Sequence, residues 1–242
     1  MVNNDERIDL IPGTNYKIIQ NKDKFSYGMD AILLSSFAKA KGVVVDLGTG
    51  TGIIPLRIYR ERKVDIIYGV EIQKEVANMA KRSVELNNLQ EKIKILHMDL
   101  KDLPKNFKKA SVDVITTNPP YMKAGEAIVN PKENFAISRH ELTCTLEDII
   151  KVSQYLLKPL GKLYMVHRPN RLVDVIYNLR KHNIEPKYIR FVQPKVNKRP
   201  NLILIEGVKN GKPDLKFHHP LIVYNEDNTY RDEIYEIYGK LW

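Results

Sequence analysis

The sequence predicts an α/β sandwich on a mostly parallel sheet, and two observations carry that prediction. Short β-branched runs alternate five times with amphipathic stretches of helical period. That order builds a parallel sheet with helices on both faces. The alternation stops near Glu185. Two β-rich runs follow, Tyr188 to Gln193 and Leu202 to Val208, with only Pro194 to Pro200 clearly between them. So short a connection leaves no room for a helix, so the pair is antiparallel. Five strands and two make seven.

The elements follow in order. The segment to Lys24 is mixed and polar, and its structure stays open. Asp30 to Lys39 reads as a helix, with Ile32, Leu33, Phe37 and Ala40 near one face. Val43 to Leu47 is a buried strand ending in a glycine turn, and a helix starts at about Ile53. Pro55 suits its first turn, which has no internal donor to lose. Ile66 to Ile72 is the next strand, with Glu71 at its end. Gln73 to Asn87 is a helix with Val76, Ala80, Val84 and Leu86 inward. Ile93 to Met98 and Val112 to Thr117 are the third and fourth strands. Thr145 and Asp148 have capping-box spacing for a helix reaching Leu157. Gly161 to His167 is the fifth strand, and Pro169 to Asn183 a helix that begins with proline. Residues 216–242 carry four tyrosines and are expected to pack on the outside. With no repeat, low-complexity tract or linker in view, residues 1–242 form a single domain. It divides into an extension and helix (1–40), a catalytic core (41–210) and a tail (211–242).

Bulk composition narrows the function classes. Hydrophobic residues make up 43% and charged residues 28% of the 242, which places the chain among globular proteins. No run of 18 apolar residues suggests a membrane span, and the N-terminus lacks a signal-peptide pattern. Cys144 is the one cysteine, which excludes an internal disulfide and a multi-thiolate metal site. We read it as a small buried apolar residue. These features give a cytoplasmic address. Lysine and arginine outnumber the acids 39 to 29, for a net charge of +10, which favours a polyanionic partner.

Two motifs carry chemistry. The first is Asp46-Leu-Gly48-Thr-Gly50-Thr-Gly52, a glycine turn after an apolar strand. Its glycines remove side chains where the chain must turn sharply and pass a ligand. In open α/β sheets, ligands lie beyond the carboxyl ends of the strands. A nicotinamide dinucleotide is a rival occupant, but its fingerprint is G-x-G-x-x-G, whereas the spacing here is G-x-G-x-G. Glu71, ending the second strand, would bond ribose under either reading.

The second motif is Asn118-Pro119-Pro120-Tyr121, directly after the fourth strand. An aromatic amine is a poor nucleophile because its lone pair is delocalised into the ring. An acceptor on each amine hydrogen frees that lone pair. The Asn118 side-chain carbonyl and the Pro119 main-chain carbonyl can both serve. Two prolines fix the backbone, so the acceptors are aimed before the reaction starts. Tyr121 offers a face for a planar base.

Together the motifs resemble those of the class I, seven-stranded S-adenosylmethionine-dependent methyltransferases, in the branch that methylates planar amines. Further stretches are similar to the bacterial tRNA adenine-N6-methyltransferases acting on the adenine beside the anticodon of valine tRNA. These are Phe25 to Leu34, Arg139-His140-Glu141, Leu157 to Gly161 and Val166 to Leu172. The resemblance implies a Rossmann-like sheet, S-adenosyl-L-methionine as cofactor and tRNA as partner. By the same token Asp46, Gly48, Gly50 and Gly52 would wrap the methionine part of the cofactor, and Glu71 would bond both ribose hydroxyls. Asp99, with Leu100 beside it, would take the cofactor's adenine amine. Asn118 to Tyr121 would hold the target adenine, and Gly28 and Asp30 would close over the cofactor.

The six histidines show no metal-ligand spacing, and displacement at a sulfonium needs no metal. Among the basic clusters, Lys123 and Lys132, and then Lys195, Lys198 and Arg199, lie nearest the catalytic strand ends and are our choice for phosphate contacts. The expected function is methyl transfer to the N6 amine of an adenine in tRNA. Rivals are an rRNA or DNA adenine methyltransferase, a protein glutamine-amide methyltransferase, and a non-catalytic RNA-binding protein that kept the fold. The glutamine-specific enzymes usually carry an extra N-terminal helical domain, and about 25 residues before the Phe25 segment are too few for one. A degenerate motif would mark the non-catalytic case, and both motifs are intact.

Overall fold

The computed structural model describes residues 2–21, 26–119 and 144–239. Pro120, Tyr121, Lys123, Lys132 and the stretch Arg139-His140-Glu141 stand outside the described residues, as does Phe25.

The chain begins with a hairpin, β1 (Glu6–Leu10) and β2 (Lys17–Asn21), paired antiparallel as a separate sheet. Nothing in its mixed, polar sequence announces it. Tertiary bonds hold it: Ser83 Oγ accepts from the Ile19 amide at 2.9 Å, and Arg82 grips the Glu6 carboxylate at 2.6 and 2.7 Å. That guanidinium holds the Glu6 carboxyl down at about 2.

Then comes the predicted alternation: α1 (Met29–Phe37), β3 (Gly42–Leu47), α2 (Ile53–Glu61), β4 (Val64–Glu71), α3 (Lys74–Leu86) and β5 (Ile93–His97). A 3-10 turn, Leu100–Asp102, and the short α4 (Leu103–Asn106) lead to β6 (Val112–Thr117). After residue 144 come α5 (Leu146–Leu156), β7 (Leu157–His167), α6 (Leu172–Lys181), β8 (Ile184–Gln193) and β9 (Leu202–Lys209). The capping box forms as its spacing predicts, with Thr145 Oγ1 accepting from the Asp148 amide and Asp148 Oδ2 from the Thr145 amide. The predicted helix from Pro169 opens as a 3-10 turn, Pro169–Arg171, before α6. Strand β7 starts four residues before Gly161, and β8 starts at Ile184, ahead of Pro186, where its register against β9 shifts.

The strands order as β8, β9, β7, β6, β3, β4, β5, all parallel except β9. Two further strands, β10 (Lys216–Phe217) and β11 (Leu221–Ile222), pair with β8. Among the described residues the sheet is therefore nine-stranded, the expected seven plus an edge. Two-residue strands leave no periodic trace, which is why the sequence does not show them.

Both faces of the sheet are covered. Val44, Val114 and Val166 pack with α1, α2 and α3; Val45, Ile115 and Met165 pack with α5 and α6. Alternate residues of one strand thus serve opposite layers, so the strands read as unbroken apolar runs. The C-terminal tail departs from the expectation of lying outside. Leu221, Val223 and Ile234 are buried, and α7 (Asp232–Ile237) joins the core on the α1 side. Leu86, expected inward, is 40% exposed.

Candidate active site

Strand order alone brings the two motifs together. Strand β3 lies between β4 and β6, so the chain crosses over in opposite directions on its two sides. That switch point opens a crevice at the carboxyl ends. In register, Asp46 faces Thr116 and Leu47 faces Thr117. The glycine turn after β3 and Asn118 after β6 therefore sit on adjacent strand ends. Asn118 is half-buried and Pro119 buried.

The glycine turn has the shape of a cradle. Gly48 (φ +71°) and Gly50 (φ +56°) take left-handed backbone, and a Cβ added at either meets nothing within 4 Å. Open space at a left-handed glycine is room for a ligand rather than for packing. Gly52, also left-handed, caps α2 and packs its open side on Ala80. The Val70 carbonyl accepts from the amides of Gly48 and Thr49 at 3.0 and 2.9 Å, fixing the turn to β4.

Glu71 ends β4 and is 3% exposed. Its two oxygens accept from the Gly50 amide at 3.1 Å and the Gln73 amide at 2.9 Å. One carboxylate thus braces the turn while standing at the crevice. Asp99 follows β5 and caps the 3-10 turn, accepting from the Lys101 amide at 2.9 Å. With Leu100, Gly48, Val70, Ile72, Met98 and Cys144 it lines a small, largely apolar cleft. Cys144, read from the sequence as a small buried apolar residue, is half-buried: it packs against the core and also lines this cleft. Burial pushes its thiol up to about 12, so it is no thiolate nucleophile.

Asp46 is fully buried. Its Oδ1 accepts from the Thr116 hydroxyl at 2.6 Å. Its Oδ2 and the Thr49 hydroxyl complete no hydrogen bond among the described residues, although Thr49 lies near enough to offset part of the burial. Burial raises the Asp46 carboxyl to about 7, with the Glu71 charge adding to the rise.

Gly28 and Asp30 stand at the start of α1, where Asp30 Oδ1 accepts from the Ala31 amide. Arg57 bonds Ser35, and Arg62 bonds the carbonyls of Ser36 and Ala38. Register advances the same way on both helices, so the start of α1 lies toward the end of α2 that follows Gly52. Lys195, Lys198 and Arg199 occupy the β8–β9 turn. Strand β9 begins beside the end of β7, with Ile203 opposite His167, so this turn lies on the carboxyl-end rim. Lys198 and Arg199 are exposed. Lys195 is half-buried and donates to the Glu226 carbonyl at 2.7 Å. The sequence had not singled out Thr116, Thr49 or Cys144 as parts of the site. The doublet Thr116-Thr117, directly before Asn118, is the one signal that could have done so.

The model of the methyltransferase small domain family matches residues 16–182, more than half of the chain. The chain belongs to that family. Among methyltransferase relatives, the tRNA1(Val) (adenine(37)-N6)-methyltransferase of Tolumonas auensis is 27% identical over 229 residues, 90% of each chain. The enzyme of the same name from Porphyromonas gingivalis is 27% identical over 82% of this chain and 80% of its own. In fold, a predicted O-methyltransferase of Agrobacterium tumefaciens is similar with a TM-score of 0.70 and 20% identity, covering 88% of this chain and 97% of that one. A geranyl diphosphate C-methyltransferase of Streptomyces coelicolor, solved with S-adenosyl-L-homocysteine, aligns at TM-score 0.56 and 14% identity, covering 75% of this chain and 80% of that one.

The residues of this methyltransferase fit S-adenosylmethionine. The open turn at Gly48 and Gly50 leaves space for the methionine part. The unpaired Asp46 Oδ2 lacks a donor that an ammonium would supply. The apolar cleft beside Asp99 suits a flat base with one amine.

Proposed function

We propose that this chain transfers a methyl group from S-adenosyl-L-methionine to the exocyclic N6 amine of an adenine in tRNA, acting in the cytoplasm. The observation that carries this reading is Asn118 at the end of β6, one strand from the glycine turn of β3. The relatives' names support the same substrate.

When bound, the sulfonium supplies an electrophilic methyl. The chain's residues do the rest. Asp46, Glu71 and Asp99 hold the cofactor by its ammonium, ribose and adenine. The target base must leave its stack to reach the crevice. The Asn118 side-chain carbonyl and the Pro119 carbonyl would accept from the amine's hydrogens and free its lone pair; as N–C forms S–C would break, the thioether would leave and the extra N–H proton would pass to solvent. Tyr121 gives the base a face to stack on. The basic β8–β9 turn, Lys195, Lys198 and Arg199, meets phosphates on the same rim, with Lys123 and Lys132 as further contacts.

The test is mass spectrometry of nucleosides from total tRNA incubated with the protein and labelled cofactor. N6-methyladenosine should appear, and Asn118→Ala should abolish most of it. Label confined to rRNA, DNA or a peptide glutamine would sink the tRNA reading and leave the fold untouched.

A further inference from the structure

Thr116 and Asp46 stand opposite one another on β6 and β3, and both are fully buried. The Thr116 hydroxyl donates to Asp46 Oδ1 at 2.6 Å. The next hydroxyl, of Thr117, donates to the Leu47 carbonyl at 3.0 Å. Two consecutive threonines therefore tie the strand that ends in Asn118 to the strand that ends in the glycine turn. These bonds come on top of the ladder itself. A carboxylate held by one oxygen has a fixed orientation, and among the described residues its other oxygen completes no hydrogen bond.

A buried carboxylate with one bare oxygen is costly unless a partner arrives. The groups facing Asp46 are Thr116 from β6, Thr49 from the turn and Glu71 from β4. None is a cation. The arrangement suits a ligand that brings its own positive charge, as the ammonium of a methionine does.

We infer that Thr116 is a positioning residue for the cofactor: its hydroxyl fixes the Asp46 carboxylate so that Oδ2 meets the cofactor's ammonium. The inference rests on the reading of Asp46 as a cofactor contact and goes beyond it by naming what orients that contact. It also explains why cofactor and substrate motifs are linked by a side-chain bond. The carboxyl already sits near 7, chiefly through burial and against the pull of the Thr116 bond. Removing that bond strips the charged form of its one strong donor, so the carboxyl should titrate at higher pH still.

The experiment is calorimetric binding of S-adenosylhomocysteine, which keeps the ammonium, between about pH 5.5 and about pH 8. It uses the wild type, Thr116→Val, Thr116→Ser and Asp46→Asn. Thr116→Val should bind about tenfold more weakly near neutral pH. The midpoint of its affinity–pH curve should move up, with KM for the cofactor raised and kcat at saturation little changed. Thr116→Ser restores the hydroxyl and should bind like the wild type. A merely structural threonine would lower Tm and leave that midpoint in place, which overturns the inference. So does wild-type binding by Thr116→Val alongside weak binding by Asp46→Asn, and then the reading of Asp46 survives. Wild-type binding by Asp46→Asn removes both. Should Thr116→Val fail to fold, Thr116→Cys, with its weak donor, carries the same comparison.

Discussion

Arg57 on α2 and Asp46 at the end of β3 are both buried charges, 1% and 0% exposed, yet the protein treats them oppositely. Arg57 is surrounded by acceptors. Its Nε donates to Ser35 Oγ at 2.9 Å, Nη1 to the Pro12 carbonyl, and Nη2 to Glu61 Oε1 at 2.5 Å and the Ile237 carbonyl at 2.8 Å. One side chain joins the loop after β1, helices α1 and α2, and the end of α7. Among the described residues Asp46 has one bond, from Thr116, and an oxygen that completes none. A buried charge with every group satisfied holds the fold together, whereas one left half-satisfied marks a place for a ligand. The difference separates a region built for stability from one built for binding, and each half can be attacked separately.

The largest effect should come from Arg57. Arg57→Ala leaves the Glu61 carboxylate and two carbonyls without their donor, at a cost of about 3–5 kcal/mol. Calorimetric unfolding would show it, and affinity for S-adenosylhomocysteine per folded molecule should hold. A variant as stable as the wild type, or one that loses cofactor affinity instead, breaks the comparison on its structural side.

Next in size is Asn118, on the binding side. Asn118→Ala removes an acceptor aimed at the amine in the transition state, and by analogy with losing one oxyanion-hole group turnover should fall by about 10²–10³. Tm and cofactor affinity should barely move, the reverse of the Arg57 result. Asn118→Asp keeps an acceptor of similar shape and should retain more activity than alanine.

Glu71 tests a mixed case. It braces the Gly50 amide and is assigned the cofactor ribose. Glu71→Ala should cost about 1.5–3 kcal/mol in S-adenosylhomocysteine binding. Calorimetry at matched pH would decide, and unchanged affinity would remove Glu71 from the site. Glu71→Gln keeps one acceptor for the turn and should lose less.

Asp46 sharpens the contrast through pH. Its carboxyl lies at about 7 in the folded protein against an ordinary value of 3.8. Between those values the folded state holds a proton that the unfolded chain has lost, so this group's contribution to stability falls as pH rises from about 4 to about 7. Asp46→Asn cannot ionise. The Tm of that variant relative to wild type, both without cofactor, should therefore climb across that window, at about 2–4 °C for each kcal/mol recovered. A difference flat with pH would mean the carboxylate is not strained in the empty site. His167 works in the opposite sense. Burial and then Arg171 and Arg168 depress its imidazole to about 4, so its contribution is lost as pH falls through 6.5 toward 4.

The same contrast explains what the sequence made legible. The parallel core was plain because strands buried on both faces read as apolar runs, and helices such as α3 keep Val76, Ala80 and Val84 inward. The β1–β2 hairpin and the edge strands β10 and β11 were not. They are held by tertiary partners such as Arg82 and β8, distant in sequence. At the site, glycines and acids were legible because turns and charges announce themselves. Thr116 was not, because its partner Asp46 is 70 residues away and only the pairing of β3 with β6 makes them neighbours. Lys195 likewise has a partner that only the fold supplies. Its ammonium donates one hydrogen bond to the Glu226 carbonyl, 31 residues away, which a basic loop does not reveal in sequence and which leaves two donors for a phosphate.

Lys198 and Arg199 are the exposed cations of the β8–β9 turn, and they carry the smallest effect of the series. Both are exposed on the rim where the proposed base enters, and neither side chain bonds another described residue. If each neutralises a phosphate, log affinity for tRNA should fall nearly linearly with log salt, by about 0.7–0.9 per contact. Reversing both to glutamate should flatten that slope by about the share of two contacts. Cofactor affinity, Tm and the rate at saturating tRNA should stay at wild-type values, since phosphate contacts position the RNA without touching the reacting atoms. Filter binding across a salt series measures the slope directly. An unchanged slope would move the RNA path off this turn, and the binding region would then shrink to the crevice between Gly48 and Asn118.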